Sequence, residues 1–297
     1  MELKELEHFV AVVRYGSFSK AASHIYVSQP TLSKSVKKLE DKLQVVLFER
    51  STRNLCLTDA GKLVYEQANK IINQTKELTT LLDDLRNTPV GEIKIGIPPL
   101  IGTLFFPLIA KDFTNLHKDI ALQLIEHGAK KIEYLIENGE IDLGIVVLPV
   151  QEQKFTVLPF VNEEFMFFCH RNHPFANHKA INITTLHDEP FILFNQEFAL
   201  NRLIIEYCKS VGTFYPNISF ETSQWDVIAE LLSVELGITL LPKSIYKKMD
   251  RKSIVAIPLH SPPMWQLGVI TKKDRYITFA VRALLNFLQE SRPLNKH

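Results

Sequence analysis

The chain reads as two structural classes in series, an α-dominated N-terminal part and an α/β C-terminal part. Three observations predict this. Two short helices fit between Phe18 and Leu43, with a break near Tyr26-Val27. Apolar and small residues then step by four and three from Val64 to Leu85. From Glu92 onward, short apolar strands alternate with helical stretches, which predicts a parallel sheet covered by helices.

The elements follow in order. Leu3, Leu6, Phe9, Val10 and Val13 mark the core face of a first helix, which Tyr15-Gly16-Ser17 ends. Ser19 is placed to cap a second helix, in which Ala21 and Ala22 leave room for a close neighbour. Ser28 can cap a third. Pro30 suits its first turn because the missing N–H would have no helical partner there. Leu32, Val36, Leu39 and Leu43 share one side of this third helix, while Gln29, Thr31, Ser33, Lys34, Lys37 and Lys38 fall largely on the others. Amide, hydroxyl and ammonium groups facing outward fit a DNA major groove, with early residues at base edges and lysines at phosphates. Val45 to Leu57 reads as a short β-wing with Arg50, Arg53 and Asn54 near its tip. A basic tip suits the DNA backbone or the minor groove.

Thr58 and Asp59 are good starting residues for a long helix to about Arg86. Val64, Ala68, Ile71, Thr75, Leu78, Leu82 and Leu85 form a heptad seam along it, the pattern that pairs helices into a dimer. Asn87-Thr-Pro-Val-Gly91 breaks it. Strands are expected at Ile93 to Ile97, Ile120 to Glu126, Ile141 to Val147, Phe165 to Cys169, Phe191 to Leu193, Ile218 to Glu221, Ile238 to Leu241 and Met264 to Thr271. Helices are expected near Gly102 to Leu116, Lys130 to Asn138, Ala199 to Val211, Trp225 to Glu235 and Tyr276 to Gln289.

Composition bounds the function. A length of 297 residues suffices for two or more cores, and 46% hydrophobic with 23% charged residues is ordinary for a globular chain. The net charge is only +1, yet Arg14 to Lys62 holds nine basic and four acidic residues, a local excess of five that fits a confined phosphate-binding face. Cys56, Cys169 and Cys208 are odd in number, distant, and without a Cys-x-x-Cys pair, so neither a zinc knuckle nor a disulfide framework is indicated. No signal peptide and no membrane-length apolar run is read, so a cytoplasmic location is expected.

Ala21-Ala22, Ser28-Gln-Pro-Thr-Leu-Ser33, Leu39-Glu40, Leu47-Phe-Glu-Arg50 and Leu57-Thr-Asp-Ala-Gly61 together resemble the winged helix-turn-helix domain of LysR-type transcriptional regulators. Gly139-Glu-Ile-Asp-Leu-Gly144, His173-Pro-Phe-Ala176 and Glu235-Leu-Gly-Ile-Thr-Leu-Leu-Pro242 extend the resemblance to that family's two-lobed, periplasmic-binding-protein-like effector domain. The resemblance implies a DNA-binding domain over 1–58, a dimerisation helix and hinge over 59–90, and an effector domain over 91–297. The effector domain's lobe I would hold 91–161 and 268–297, and its lobe II 162–267. It also implies a homotetramer on double-stranded operator DNA, controlled by a small-molecule effector. The loop Pro98-Pro-Leu-Ile-Gly102 and Glu126-His-Gly-Ala-Lys130 look like the CidR-type branch, tied to holin-like and overflow-metabolism operons.

The expected DNA contacts are Gln29, Pro30, Thr31 and Ser33 at base edges and Lys34, Lys37, Arg50 and Arg53 at phosphates. In open α/β sheets, ligands sit outside the carboxyl ends of the strands. That rule selects Pro99, Leu100, Ile101, Thr103, His127, Val147, Phe198, Ser223 and Gln224. Helix starts near Thr103 or Gln224 would offer free N–H groups to a small carboxylate. The stiff, apolar Pro98-Pro-Leu-Ile-Gly102 loop departs from the hydroxyl that many family members carry there, and this keeps an apolar or neutral effector, or none, open. His170, His173 and His178 lack a completing ligand set, so no metal is expected. No phosphate-binding loop, dinucleotide fingerprint or nucleophile elbow is present, so neither enzymatic activity nor a bound cofactor is expected. A solute-binding assembly module without DNA readout stands as the alternative.

Overall fold

The structure, a computed structural model, describes residues 1–49, 55–84 and 91–291. The chain divides into an N-terminal and a C-terminal unit.

In the N-terminal unit, α1 spans Leu3–Tyr15 and opens with a capping box in which the Glu2 and Glu5 side chains each take a backbone N–H of the other's end. Gly16, at φ 62°, turns the chain out of it. The next helix, α2, spans Phe18–His24, and its cap is Ser17, whose hydroxyl accepts from the Lys20 N–H. Sequence reasoning placed the cap on Ser19. Gly16 hands the chain straight to an extended Ser17, and Ser19 falls inside the first turn. The third helix, α3, spans Gln29–Leu43, with Ser28 as cap and Leu32, Val36 and Leu39 buried. These residues close a core with Leu6, Phe9, Val12, Ala21, Ala22 and Leu47. Phe48 packs edge-on to both Phe9 and Phe18 at ring separations of 5.4 and 5.6 Å.

Phe48 and Leu57 pair as an antiparallel bridge, and the Glu49 N–H donates to the Cys56 carbonyl at 2.9 Å, which forms the base of the wing. The long helix α4 spans Asp59–Asp84. Thr58 caps it by accepting from the Gly61 N–H at 2.9 Å, while its own hydroxyl donates to the Val46 carbonyl at 2.7 Å. Gly61 must be glycine, because a Cβ there would stand 2.1 Å from the Leu47 carbonyl oxygen. Ala68 and Ile72 of α4 are buried in the N-terminal core, with Val64 packed against it, so the start of the expected seam is used within the unit. Ile71 and Leu78 are exposed. The side chains of Leu82 and Leu85 lie outside the described residues.

The C-terminal unit runs β1 (Gly91–Ile97), α5 (Pro99–Leu116), β2 (Ile120–Glu126), α6 (Ala129–Glu137), β3 (Leu143–Val147), β4 (Phe155–His170), β5 (Pro190–Phe194), α7 (Ala199–Ser210), β6 (Asn217–Thr222), α8 (Trp225–Ser233), β7 (Thr239–Pro242), β8 (Ile254–Pro258), β9 (Met264–Lys272) and α9 (Phe279–Ser291). Strand order is β2-β1-β3-β9-β4-β7, with β8 also on β4 and with β5-β6 as a separate parallel pair. The parallel β2-β1-β3 part, with α5, α6 and α9, makes lobe I. The β5 to β8 part, with α7 and α8, makes lobe II.

The lobes are joined by β4 and β9, which pair antiparallel from Phe155–Lys272 to Glu164–Met264 with a register shift between Pro159 and Val161. Sequence reasoning saw only the second half of β4. The expected strand covered only Phe165 to Cys169, whereas the structure extends it back to Phe155 and seats Pro159 at a bulge, where a missing N–H is tolerated. The short β8 was also missed. Trp265, fully buried in β9, packs against Phe105 of α5. The sheet's apolar residues form one core with Phe113, Phe165, Phe167, Phe168 and Leu240 at its centre.

Candidate functional site

Two features present themselves, one in each unit. The first is the outer surface of α3. Its apolar residues at 32, 36 and 39 all face the core, so the helix turns its remaining sides to solvent. Gln29, Pro30, Thr31, Ser33, Lys34 and Lys37 are all exposed. The Ser28 hydroxyl accepts from the Thr31 N–H at 3.3 Å and lies 2.7 Å from the Thr31 hydroxyl, which holds the first turn in shape. Arg50 and Arg53 lie outside the described residues.

The lysines of α3 divide into two sets. Lys38 reaches Glu2 at 3.0 Å and Glu5 at 3.1 Å, and Lys42 reaches Glu5 at 2.8 Å. Glu5 is buried, and the hydrogen bond from Lys42 holds its carboxyl down to about 2 against the opposing pull of desolvation. These two lysines therefore lock α3 to α1. Among the described residues, Lys34 and Lys37 make no ion pair, so they are the ammonium groups left for an external anion. The separation of these sets was not readable from the helix alone, since its signal lies in Glu2 and Glu5, thirty-odd residues away.

One exposed residue was missed. Tyr26 is 95% exposed and sits at φ 55° in the turn just before α3. A left-handed backbone is unfavourable for a bulky side chain, and a lone tyrosine in a sequence carries no signal of it.

The second feature is a cleft between the lobes of the C-terminal unit. It is lined by Pro98, Leu100 and Ile101 from the start of α5, by Ala129 and Val147, and by Phe194, Phe198, Ala199 and Leu200 around the start of α7. The enclosed space among these side chains is about 20 Å³, little more than room for one water molecule. Of the residues expected at an effector site, Leu100, Ile101, Val147 and Phe198 line it together. Pro99 lies between lining residues but is not itself in the lining, and Thr103, His127, Ser223 and Gln224 fall outside it. Thr103 does not start a helix: α5 begins at Pro99, where proline is favoured, and Thr103 sits a turn further in. Gln224 is the N-cap of α8, as expected.

Neither α5 nor α7 receives a side-chain cap. Asn201, 3% exposed beside the lining residue Leu200, donates from its amide nitrogen to the Phe194 carbonyl at 2.7 Å and to the Glu221 carboxylate at 3.1 Å. The chemistry of the lining is therefore that of apolar walls.

The three cysteines are free; Cys56 is exposed, and Cys169 and Cys208 are buried. Burial pushes both buried thiols up to about 12. Among the described residues no group of three histidine, cysteine or carboxylate side chains is placed to hold a metal, and no helix is long and apolar enough to cross a membrane.

A helix-turn-helix head with a wing, a long helix and a two-lobed α/β domain with an interlobe cleft define the class of one-component, ligand-responsive DNA-binding regulators. Residues 3–62 match the bacterial regulatory helix-turn-helix of the lysR family, and residues 86–293 match the LysR substrate binding domain. The chain belongs to the LysR-type transcriptional regulator family. It is 42% identical over 286 residues to the uncharacterized HTH-type transcriptional regulator YwbI of Bacillus subtilis, covering 96% of this chain and 95% of that protein. It is 26% identical to the DNA-binding transcriptional dual regulator OxyR of Escherichia coli over 295 residues, 96% of each chain. A full-length OxyR variant from Pseudomonas aeruginosa superimposes with a TM-score of 0.78 at 26% identity, over 99% of this chain and 95% of that one.

Proposed function

We propose that this LysR-type regulator reads an operator with the first turns of α3, fixes its position on phosphates with Lys34 and Lys37, and changes state when a small molecule enters the interlobe cleft. The observation that carries the reading is the division of the α3 lysines: two are spent on α1, and two are left exposed beside Gln29, Thr31 and Ser33. The exposed Ile71 and Leu78 of α4 support pairing of two copies through that helix; further pairing of effector domains into a tetramer follows from family membership. Two linked heads would lengthen the footprint and multiply affinity. The protein acts by binding alone, in the bacterial cytoplasm where its DNA lies. Its targets are expected to include operons of the holin-like and overflow-metabolism kind.

The relatives named as hydrogen peroxide-inducible activators do not make peroxide the signal here. A thiol sensor needs an accessible thiolate, and both thiols of the C-terminal unit are buried and held protonated.

The test is binding of the purified protein to DNA upstream of its own gene and of the divergent neighbour across a salt series, with a footprint. Specific protection over several helical turns with a steep salt slope is expected. Equal affinity for random DNA at every salt concentration would overturn the reading.

A further inference from the structure

We propose that the Tyr26 phenol is a DNA contact, donating a hydrogen bond to a backbone phosphate at the rim of the groove that α3 enters. The inference rests on the reading of α3 as the operator-reading helix and adds a residue to it.

Tyr26 occupies a position that the fold itself would give to glycine. α2 ends in two backbone hydrogen bonds, from the Ile25 N–H to the Ala21 carbonyl and from the Val27 N–H to the Ala22 carbonyl, both at 3.0 Å. The second bond closes a Schellman-type turn, in which the residue before the donor is left-handed and favours glycine. α1 ends with such a glycine, Gly16 at φ 62°. α2 ends with Tyr26 at φ 55°. The Cβ of an L-residue crowds the backbone in that conformation, so the tyrosine is held there under strain.

Nothing inside the fold accounts for that choice. The side chain is 95% exposed. Among the described residues the phenol makes no hydrogen bond and the ring stacks on no other. Glu235 supplies the contrast. It too is left-handed at the end of a helix, at φ 63°, but its carboxylate accepts from the Asn172 amide at 2.9 Å and lies 2.9 Å from the His170 Nδ1. His24, the neighbouring exposed ring, is also engaged: its Nδ1 lies 2.9 Å from the Lys20 carbonyl oxygen and its ring stacks on Tyr15 at 4.1 Å. A strained residue whose side chain serves no internal contact marks a contact outside the fold.

The partner is set by where the turn lies. In a helix-turn-helix, the helix before the turn crosses the DNA backbone and the next one puts its first residues on base edges. The turn that joins them passes over the edge of the groove, where the phosphates are. Tyr26 precedes Gln29 by three residues, so their Cα atoms stand at most about 11 Å apart. The major groove is about 12 Å wide, so with Gln29 over its floor Tyr26 stands at its wall. A phenol brings one O–H donor and no charge. It can therefore fix the register of the head on the duplex without reading a base.

The experiment compares the full-length parent with Tyr26→Phe, which keeps the ring and the backbone strain and removes only the donor. Both are titrated by fluorescence anisotropy on the fragment that the parent protects upstream of its own gene. Tyr26→Phe is expected to bind about fivefold more weakly per contact, roughly 25-fold for a dimer. Its salt slope should match the parent's, because no counterion-releasing charge is lost. Its melting temperature should be unchanged. Ethylation interference should reveal a phosphate whose modification weakens the parent and leaves Tyr26→Phe indifferent. Tyr26→Phe binding as tightly as the parent, while Lys34→Ala binds more weakly, would overturn the phenol contact and leave the reading by α3 standing. A changed base preference in Tyr26→Phe with no such phosphate would overturn the phosphate assignment. A melting temperature that falls with the affinity would assign the phenol to the fold instead. A parent that protects no fragment would overturn this inference together with the operator reading.

Discussion

Replacing single lysines on α3 should separate its two sets by their effect on the salt dependence of DNA binding. Each phosphate neutralised by an ammonium contributes about 0.9 to the slope of log affinity against log salt. Lys34 and Lys37 are exposed and make no ion pair among the described residues, so each is available for one phosphate per copy. Lys38 is held 3.0 Å from Glu2 and 3.1 Å from Glu5, and its charge is already matched. Between 50 and 200 mM salt, losing one contact reduces the fall in affinity by about 3.5-fold, and losing it in both copies of a dimer by about twelvefold. Lys34→Ala and Lys37→Ala should therefore each lower the slope by about 1.8 in a dimer. Lys38→Ala should leave it unchanged. Fluorescence anisotropy of a labelled operator fragment at five salt concentrations reads both. A Lys38→Ala slope reduced as much as that of Lys34→Ala, or a Lys34→Ala slope equal to the parent's, would refute the partition.

Further outcomes follow from local geometry. Glu5 has its carboxyl held at about 2, below its ordinary 4.5, so its contribution to stability is present above about pH 4.5 and is lost as pH falls toward 2; Glu5→Gln should flatten the acid limb of a pH–denaturation profile in that window, and an unchanged limb would contradict the lock. Gly61→Ala should destabilise the N-terminal unit by about 1–3 kcal/mol in urea, since the new Cβ meets a backbone carbonyl that cannot rotate away. Tyr26→Gly should raise the melting temperature slightly, by relieving about 1 kcal/mol of left-handed strain, and a clear loss of stability would show that the phenol ring is held in place. Brief iodoacetamide treatment of the native protein at pH 8, followed by mass spectrometry, should label Cys56 and spare Cys169 and Cys208, and rapid labelling of either of these would mean that their burial is transient.

Much of the architecture was legible because it is written in local periods. The four-three-four spacing on α3, the Ser28 and Thr58 caps and the alternation of strands and helices each specify an element within a few residues. What could not be read depends on distant partners. The start of the heptad seam looked free for a second copy, yet Ala68 is consumed by the core of its own unit. The first half of β4 was not expected as a strand, and its pairing with β9 is what makes it one. The cleft was legible at Leu100, Ile101, Val147 and Phe198 because strand ends place them there. Ala129, Phe194, Ala199 and Leu200 were missed, since small and aliphatic residues at helix starts look like ordinary packing. Thr103 was misplaced by starting α5 late, when the proline pair at 98 and 99 was itself the start signal.

The joining of the lobes by β4 and β9 has a mechanical consequence. Two hydrogen-bonded strands form a ribbon, which bends easily across its face and resists bending within its plane. Between the β3 pairing, which ends at Leu267, and the β7 pairing, which begins at Phe165, only Asn162 to Glu164 on Gln266 to Met264 is two strands wide, and this is the narrow point along it. Bending at that point would carry the two lobes toward or away from each other across the cleft, so the link and the cleft share one mechanical element.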